Sequence, residues 1–102
     1  GILEEEDGDP QVFALWANYP NPFNARTAIS YQVPEPGWVE LTLYNMLGQQ
    51  VKHLVRETQR AGTYRLFWDG TDDLGTTLGS RIYIYRLTAG DRRQTRRLVL
   101  LK

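Results

Sequence analysis

The residues best able to bind a hard cation lie in the segment from Asp69 to Gly75. Asp69, Asp72 and Asp73 stand at offsets of three and four among glycines, and Ca²⁺ prefers several carboxylate and carbonyl oxygens from a tight loop. The segment lacks the spacing and the final glutamate of an EF-hand. An alternative is a turn in which aspartate side chains accept hydrogen bonds from backbone N–H groups. We therefore predict no cofactor, with a structural calcium ion at Asp69, Asp72 and Asp73 left open.

Groups able to support catalysis are scarce in the rest of the sequence. His53 is the single histidine, and no nearby acid has the spacing needed to orient it as a general base. The absence of cysteine excludes thiol catalysis, zinc–thiolate sites and disulfides. Ser30 and Ser80 lack the G-x-S-x-G context of a nucleophile elbow, and no glycine-rich phosphate-binding loop is present. We predict that the chain is not an enzyme.

Charge is balanced overall but polarised along the chain. The 102 residues carry 12 Lys and Arg against 12 Asp and Glu. Residues 1–11 hold an acidic cluster beside Gly8 and Pro10, which is typical of a flexible linker. The opposite end is basic, and it can either bind an anionic partner or protect an edge strand from aggregation. This basic cluster consists of Arg92, Arg93, Arg96, Arg97 and Lys102. Balanced charge without a matching fold signature argues against nucleic-acid binding.

The elements that position these residues are short runs in which apolar and polar residues alternate, as in half-buried strands. The clearest runs cover residues 27–33, 38–44, 63–68, 82–87 and 97–101, and weaker ones cover 12–16 and 50–55. Turn signals about every ten residues, without helical periodicity, predict an all-β immunoglobulin-like antiparallel β-sandwich of about seven strands over residues 12–102. No stretch is apolar enough to span a membrane. The predicted core consists of Ile29, Tyr31, Val33, Val39, Leu41, Leu43, Val51, Leu54, Tyr64, Leu66, Trp68, Tyr83, Tyr85, Leu87, Leu98 and Leu100.

The segment Asn18-Tyr19-Pro20-Asn21-Pro22-Phe23-Asn24 precedes the first long strand. Its two prolines favour an extended backbone, and its asparagine side chains can satisfy exposed backbone groups. Tyr19 and Phe23 are expected to anchor it on the sandwich. We predict a rigid lead-in that sets how the strand enters its sheet.

Aromatic residues offer a second kind of surface. Planar rings stack on sugars, and Trp38, Tyr44 and Phe67 would form a carbohydrate-binding face if all three pointed outward. Most aromatic residues alternate with apolar core positions, which favours burial. A carbohydrate-binding module therefore stays an alternative.

The motifs occur in an order that resembles a known family, the type A C-terminal sorting domain of the type IX secretion system. This family is related to the immunoglobulin-like domain of flagellar hook-capping proteins. The resemblance covers Asn18 to Lys102. It rests on Asn18–Asn24, Thr27–Tyr31, Leu43–Gln49, Ala61–Tyr64, Trp68–Asp72 with Gly75, Tyr83–Leu87 and the basic-then-apolar ending Arg96–Lys102.

The resemblance implies a non-catalytic secretion signal. Such domains direct an N-terminal cargo in the same chain from the periplasm through the type IX outer-membrane translocon, and a sortase-like surface peptidase usually removes them. The cargo is then secreted or held at the cell surface. The recognition residues carried over are Gly62, Tyr64, Tyr83, Tyr85, Arg96, Arg97 and Lys102. The structural motif residues are Asn18, Pro20, Asn21, Pro22, Phe23, Asn24, Gly48, Trp68, Gly70 and Gly75.

We expect a monomer that binds these export components, without nucleic acid or a membrane span. The alternative function is a carbohydrate-binding or structural assembly module appended to an extracellular enzyme. Self-association or binding to a scaffold would favour the assembly role.

Overall fold

Alternation of apolar and polar residues produces most of the strands in the part of the chain that the structure describes. This computed structural model describes residues 12–102 in full and residues 2–6 by their backbone pairing. The strands are β1 (Ile2–Glu6), β2 (Ala14–Leu15), β3 (Thr27–Val33), β4 (Gly37–Tyr44), β5 (Gln50–Gln59), β6 (Gly62–Trp68), β7 (Arg81–Ala89) and β8 (Arg92–Leu100). No helix long and apolar enough to cross a bilayer occurs among these described residues.

The strands form two antiparallel sheets that pack face to face. Sheet A has the order β1-β6-β3-β2, and sheet B has the order β5-β4-β7-β8. Tight hairpins join β4 to β5 and β7 to β8, whereas the links β3–β4, β5–β6 and β6–β7 cross between sheets. The predicted all-β immunoglobulin-like sandwich is confirmed. Seven of its strands lie within residues 12–102, and β1 is the eighth.

The core lies between the sheets and agrees with the period-two prediction except on β5. Val51 and Leu54 are only partly buried, and Val55 is buried instead. The cause is a pair of β-bulges, because Leu41 pairs with Val55 while Thr42 pairs with His53, and Leu43 pairs with Lys52 while Tyr44 pairs with Gln50. The bulges leave Leu54 and Val51 as extra residues and change which side chains face inward. The sequence analysis also missed two buried residues outside the main strand patterns, Phe13 and Leu15.

Strand β1 was not predicted, because residues 1–11 were assigned to an acidic linker on their composition. Its backbone pairs antiparallel with β6, with Ile2 opposite Leu66 and Glu6 opposite Thr63. Strand pairing uses main-chain groups, so a charged sequence can still complete a sheet edge. Residues 1 and 7–11 of the predicted linker lie outside the described part of the chain.

Candidate functional site

Strand β8 lies at the edge of sheet B and carries most of the basic cluster. Leu98 and Leu100 are buried in the core, whereas residues 92–97 are exposed. Because side chains alternate between faces along a strand, the even-numbered residues face sheet A and the odd-numbered ones face outward. The outward-facing residues of the exposed half are Arg93, Thr95 and Arg97. β8 therefore joins a basic first half to an apolar second half.

The second half of β8 has its outer backbone edge covered by the segment Asn21–Asn24. The N–H of Val99 donates to Asn21 Oδ1 at 3.0 Å, and the N–H of Phe23 donates to the Val99 carbonyl at 3.0 Å. The N–H of Leu101 donates to the Phe23 carbonyl at 2.9 Å, and Asn24 Nδ2 donates to the Leu101 carbonyl at 3.1 Å. We call this set of contacts the clasp. It holds residues 99–101 in place.

The first half of β8 presents its backbone outward. Pairing of β7 with β8 is regular from Arg81↔Leu100 to Ala89↔Arg92, and outward and inward backbone groups alternate along an antiparallel strand. Since Val99 directs its N–H and carbonyl toward the clasp, Arg97, Thr95 and Arg93 direct theirs to the same outer side. We call these three residues the open edge. No hydrogen bond from another described segment reaches their outward backbone groups.

The inner side of β8 is tied to β2 in the opposite sheet. The N–H of Leu15 donates to Gln94 Oε1 at 2.8 Å, and Arg96 Nε donates to the Leu15 carbonyl at 2.6 Å. Gln94 Nε2 also donates to the Phe13 carbonyl at 3.4 Å. These bonds satisfy β2 backbone groups and fix β8 across the flank of the sandwich. Arg96, which was predicted to act in recognition, thus also has a structural contact.

Arginines dominate the outer surface beside the open edge. Arg86 on β7 is paired with Thr95, and its guanidinium lies 4.8 Å from the ring centroid of Tyr44. Arg92, an even-numbered residue of β8 on the side toward sheet A, has its Nη2 3.8 Å from Glu35 Oε1, an exposed ion pair worth about 0–1 kcal/mol. Glu40, on the same sheet face, accepts a hydrogen bond from Trp38 Nε1 at 2.8 Å. The outward-facing side chains of Arg86, Arg93 and Arg97 therefore carry positive charge beside the open edge.

The predicted recognition tyrosines lie in the core, as does the backbone of Gly62. The Tyr85 hydroxyl donates to the Trp16 carbonyl at 2.8 Å and accepts from the Asn18 N–H at 3.0 Å. Tyr83 donates to the Gly79 carbonyl at 2.9 Å, and Tyr64 donates to the Arg60 carbonyl at 2.7 Å. These side chains support the sheets, and direct recognition by them stays a prediction.

The buried tyrosines predict loss of stability at high pH. Burial raises the pKa of Tyr31, Tyr83 and Tyr85 above the ordinary value near 10. The folded state therefore keeps protons that the unfolded state releases, so stability is full below about pH 10 and falls as pH rises further. For Tyr31, whose pKa burial raises most, the loss is up to about 1.4 kcal/mol per pH unit.

Urea unfolding at a series of alkaline pH values measures this loss. Tyr31→Phe should give a shallower decline than the parent chain, because it removes one of the titrating groups. An unfolding free energy that stays constant up to about pH 11.5 would contradict the prediction.

The motif residues from Asn18 to Phe23 connect β2 to β3. Asn18 Nδ2 donates to Thr27 Oγ1 at 2.9 Å, and Thr27 Oγ1 donates to the Pro20 carbonyl at 2.8 Å. The Tyr19–Pro20 and Asn21–Pro22 peptide bonds are cis. Phe23 is buried, as predicted for an anchor, but the expectation for Tyr19 is wrong, since its side chain is 80% exposed. Tyr19 contributes its backbone instead, by pairing with Ala28.

Gly70 and Lys102 meet at the end of β8. Gly70 has φ of 81°, and a Cβ there would lie 3.3 Å from a Leu100 methyl group, so a larger residue would be strained and crowded. The backbone N–H of Lys102 donates to Ser80 Oγ at 2.7 Å, and its side chain is exposed. Gly48 and Gly75 also occupy turns with positive φ.

The aspartates of the predicted calcium loop accept hydrogen bonds from separate groups of the protein. Asp69 Oδ1 accepts from Thr71 Oγ1 at 2.6 Å, and this hydrogen bond lowers the pKa of Asp69. Asp72 Oδ1 accepts from the N–H groups of residues 74 and 76, and Asp73 Oδ1 accepts from the His53 N–H at 3.0 Å. These contacts agree with the turn alternative. Within the described residues, no group of three or more acidic or histidine side chains converges on a cation position.

His53 has an acidic neighbour that the sequence analysis missed. Its Nε2 lies 4.0 Å from Asp73 Oδ2, a contact made across 20 positions of the chain. The β-bulges on β5 and the turn after β6 bring the two together, which local spacing cannot predict. The pair joins β5 to the Asp69–Gly75 loop.

The three aromatic residues of the carbohydrate alternative do not form one platform. Trp38 and Tyr44 lie on the outer face of sheet B, whereas Phe67 lies on the outer face of sheet A. Phe67 is covered by Arg26, whose guanidinium is 4.2 Å from the ring centroid. The expectation of a shared face is wrong, because alternate residues of different sheets point in opposite directions across the sandwich.

The solved structures that share this fold include PorU, PorZ and FlgD. Dimeric latent PorU from Porphyromonas gingivalis matches with a TM-score of 0.69 and 16% identity, over 95% of this chain and 10% of that protein. PorZ, described as an essential bacterial surface component of the type-IX secretion system of the same organism, matches with a TM-score of 0.59 and 13% identity, over 86% of this chain and 11% of PorZ. FlgD from P. aeruginosa matches with a TM-score of 0.56 and 22% identity, over 72% of this chain and 57% of FlgD.

This chain thus spans only part of each structural neighbour. No curated protein matches it. The FlgD Ig-like domain family matches residues 23–92, which confirms the predicted relation to the immunoglobulin-like domain of hook-capping proteins. Because that match covers more than half of the 102 residues, the chain belongs to the FlgD Ig-like domain family.

Proposed function

We propose that this chain is a sorting domain of the type IX secretion system. It would direct an N-terminal cargo through the outer-membrane translocon, for release or for anchoring at the cell surface. The observation that carries the proposal is the clasp. It joins the opening motif Asn21–Asn24 to residues 99–101, which are the two ends of the resemblance to that family.

The clasp is consistent with a signal that a receptor recognises on a folded protein. A strand held in advance in one conformation loses less conformational entropy when a partner binds it. Residues 99–101 are held by the clasp, and the preceding basic residues are exposed. The fold shared with PorZ, itself described as a component of type-IX secretion, also supports the proposal.

The proposed role needs no catalytic group in this chain. The FlgD Ig-like domain is a non-catalytic domain type. The one histidine pairs with Asp73, and the aspartates of the Asp69–Gly75 segment accept hydrogen bonds from turn residues. We propose that the domain acts by docking to the translocon and to the surface peptidase, as the family resemblance implies.

A reporter fusion tests the proposal. Residues 1–102 are fused behind a reporter that is exported to the periplasm of a host with the type IX apparatus. We expect the reporter at the cell surface or in the medium. A reporter that stays in the periplasm with the domain intact contradicts the proposal.

Single charge reversals refine the same assay. Arg97→Glu should reduce export, whereas the matched control Arg56→Glu, an exposed arginine on β5 at the other edge of sheet B, should not. Thermal melts of both purified variants confirm that they are folded. Equal export by the two variants would remove Arg97 from the recognition residues.

The likeness to FlgD favours a second candidate, a structural assembly domain. That role predicts self-association or binding to a scaffold protein. Light scattering of the purified chain separates the two candidates. We expect a monomer, and a concentration-dependent oligomer would favour assembly.

A further inference from the structure

The two halves of the β8 edge differ in a way that indicates a binding site. The clasp pairs the backbone of residues 99–101, whereas no described residue covers the outward backbone groups of Arg93, Thr95 and Arg97 in this way. We propose that this open edge binds an extended acidic strand of a partner protein by β-strand addition. The identity of that partner as an export component rests on the proposed function, but the binding itself does not.

Among the described residues, the backbone of the open edge has free positions for hydrogen bonds to an added strand. Each open-edge residue presents an N–H and a carbonyl in the plane of sheet B, and alternate residues of a strand repeat about every 6.6–6.8 Å. An added strand offers complementary groups at the same interval, so main-chain hydrogen bonds supply affinity. Asn21 and Phe23 occupy the edge from Val99 onward. The added strand must therefore end before the clasp. This end point restricts the register in which the added strand pairs with β8.

The arginines beside the open edge favour an added strand with acidic side chains. Side chains opposite each other on neighbouring strands have Cβ atoms about 4.5–5.5 Å apart. Residues of an added strand that face outward would lie beside Arg93 and Arg97, with Arg86 on the next strand. Carboxylates at those positions would form favourable cross-strand pairs, and basic residues would be repelled. The partner strand should therefore carry acidic residues at alternate positions.

The inner face of the added strand meets a different surface. Gln94 and Arg96 point toward sheet A and are engaged with the Leu15 backbone. They are thus less available for new ion pairs than Arg93 and Arg97. We expect small or apolar residues at the intervening positions of the partner strand, which gives an alternating acidic and uncharged pattern.

A second copy of this chain is a poorer occupant of the same edge. Pairing β8 with β8 would place the arginines of one copy beside those of the other, and like charges on neighbouring strands are destabilising. A polyanion such as an anionic polysaccharide could bind the arginines but could not form the main-chain ladder.

The test uses the purified 102-residue chain and a synthetic peptide of alternating Glu and Val. We expect binding by fluorescence anisotropy, together with slower amide hydrogen exchange at Arg93, Thr95 and Arg97. A peptide of alternating Lys and Val should not bind. N-methylation of the peptide amides that face the domain should weaken binding by about tenfold or more, since it removes ladder hydrogen bonds. N-methylation of the opposite amides should not.

Charge variants complete the test. The double variant Arg93→Glu, Arg97→Glu should lose about tenfold or more in affinity, whereas the matched control Arg56→Glu should bind as the parent does. Equal binding by both N-methylated peptides would overturn strand addition in favour of simple polyanion binding. Exchange protection of the three amides without peptide, in a chain that light scattering shows to be dimeric, would overturn it in favour of self-pairing.

Failure of this inference is distinguishable from failure of the proposed function. A chain that supports export but does not bind the acidic peptide retains the sorting role and loses the open-edge assignment. A chain that binds the peptide but leaves the reporter in the periplasm keeps the strand-binding site and loses the sorting role.

Discussion

Replacing Trp68 by alanine is expected to lower the free energy of unfolding by about 3–5 kcal/mol, because it removes a large core side chain and leaves a cavity. Trp68 is almost fully buried. Its ring centroid lies 5.5 Å from that of Phe23 and 5.7 Å from that of Tyr83. Its Nε1 donates to the Thr71 carbonyl at 2.8 Å, so the substitution also leaves a turn carbonyl without its partner.

The neighbouring residue on β6 provides the matched control. Phe67 is 38% exposed on the outer face of sheet A, and Phe67→Ala should cost about 1 kcal/mol or less through its lost contact with Arg26. Urea unfolding followed by far-ultraviolet circular dichroism measures both variants. Similar losses for the two would mean that the alternation of faces along β6 is wrong.

Phe23→Ala is the second substitution with a large expected effect, again about 3–5 kcal/mol. Phe23 is buried against Trp68, and its backbone forms two of the clasp hydrogen bonds, to Val99 and Leu101. Loss of the ring removes the packing that holds this backbone against β8. We therefore expect faster amide hydrogen exchange at Val99 and Leu101 than the global loss of stability alone explains.

Tyr19 is the matched control within the same segment. Its side chain is 80% exposed, and Tyr19→Ala should change the free energy of unfolding by no more than about 0.5 kcal/mol. Hydrogen exchange and urea unfolding of the two variants, measured under the same conditions, test the pair. If exchange at Val99 and Leu101 stays unchanged in Phe23→Ala, the ring does not maintain the clasp.

The fold could be predicted from the sequence because sandwich strands carry a local signal. Period-two alternation identified the buried residues of β3, β4, β6 and β7, and turn residues marked the ends. The prediction was wrong at Leu54 and Val55, because a β-bulge opposite Leu41 changes the phase within one strand. It also missed β1, whose main-chain pairing with β6 has no compositional signal.

The candidate site was less predictable than the core. The basic character of residues 92–97 was evident from the residues themselves. The tyrosines that the resemblance assigned to recognition are in the core, where the alternation of apolar and polar residues also placed them. The alternation of residue types along a strand predicts which side chains face the core. It does not reveal which of the arginines and tyrosines a partner binds. The partners of the Tyr85 hydroxyl lie 67 and 69 positions away, beyond the reach of any local pattern.

Sequence alone determined that this chain has no cysteine, that its apolar and polar residues alternate with a period of two, and that positive charge is concentrated in its last strand. Each of these is a property of residue types and near neighbours. Tertiary structure alone decided which part of that strand is available. The clasp covers residues 99–101 through contacts between positions 77 and 78 apart, whereas Arg93, Thr95 and Arg97 lie at an edge that no segment among residues 12–102 covers. Hydrogen bonds between such distant segments form only when two sheets pack together, because packing is what brings the segments within bonding distance.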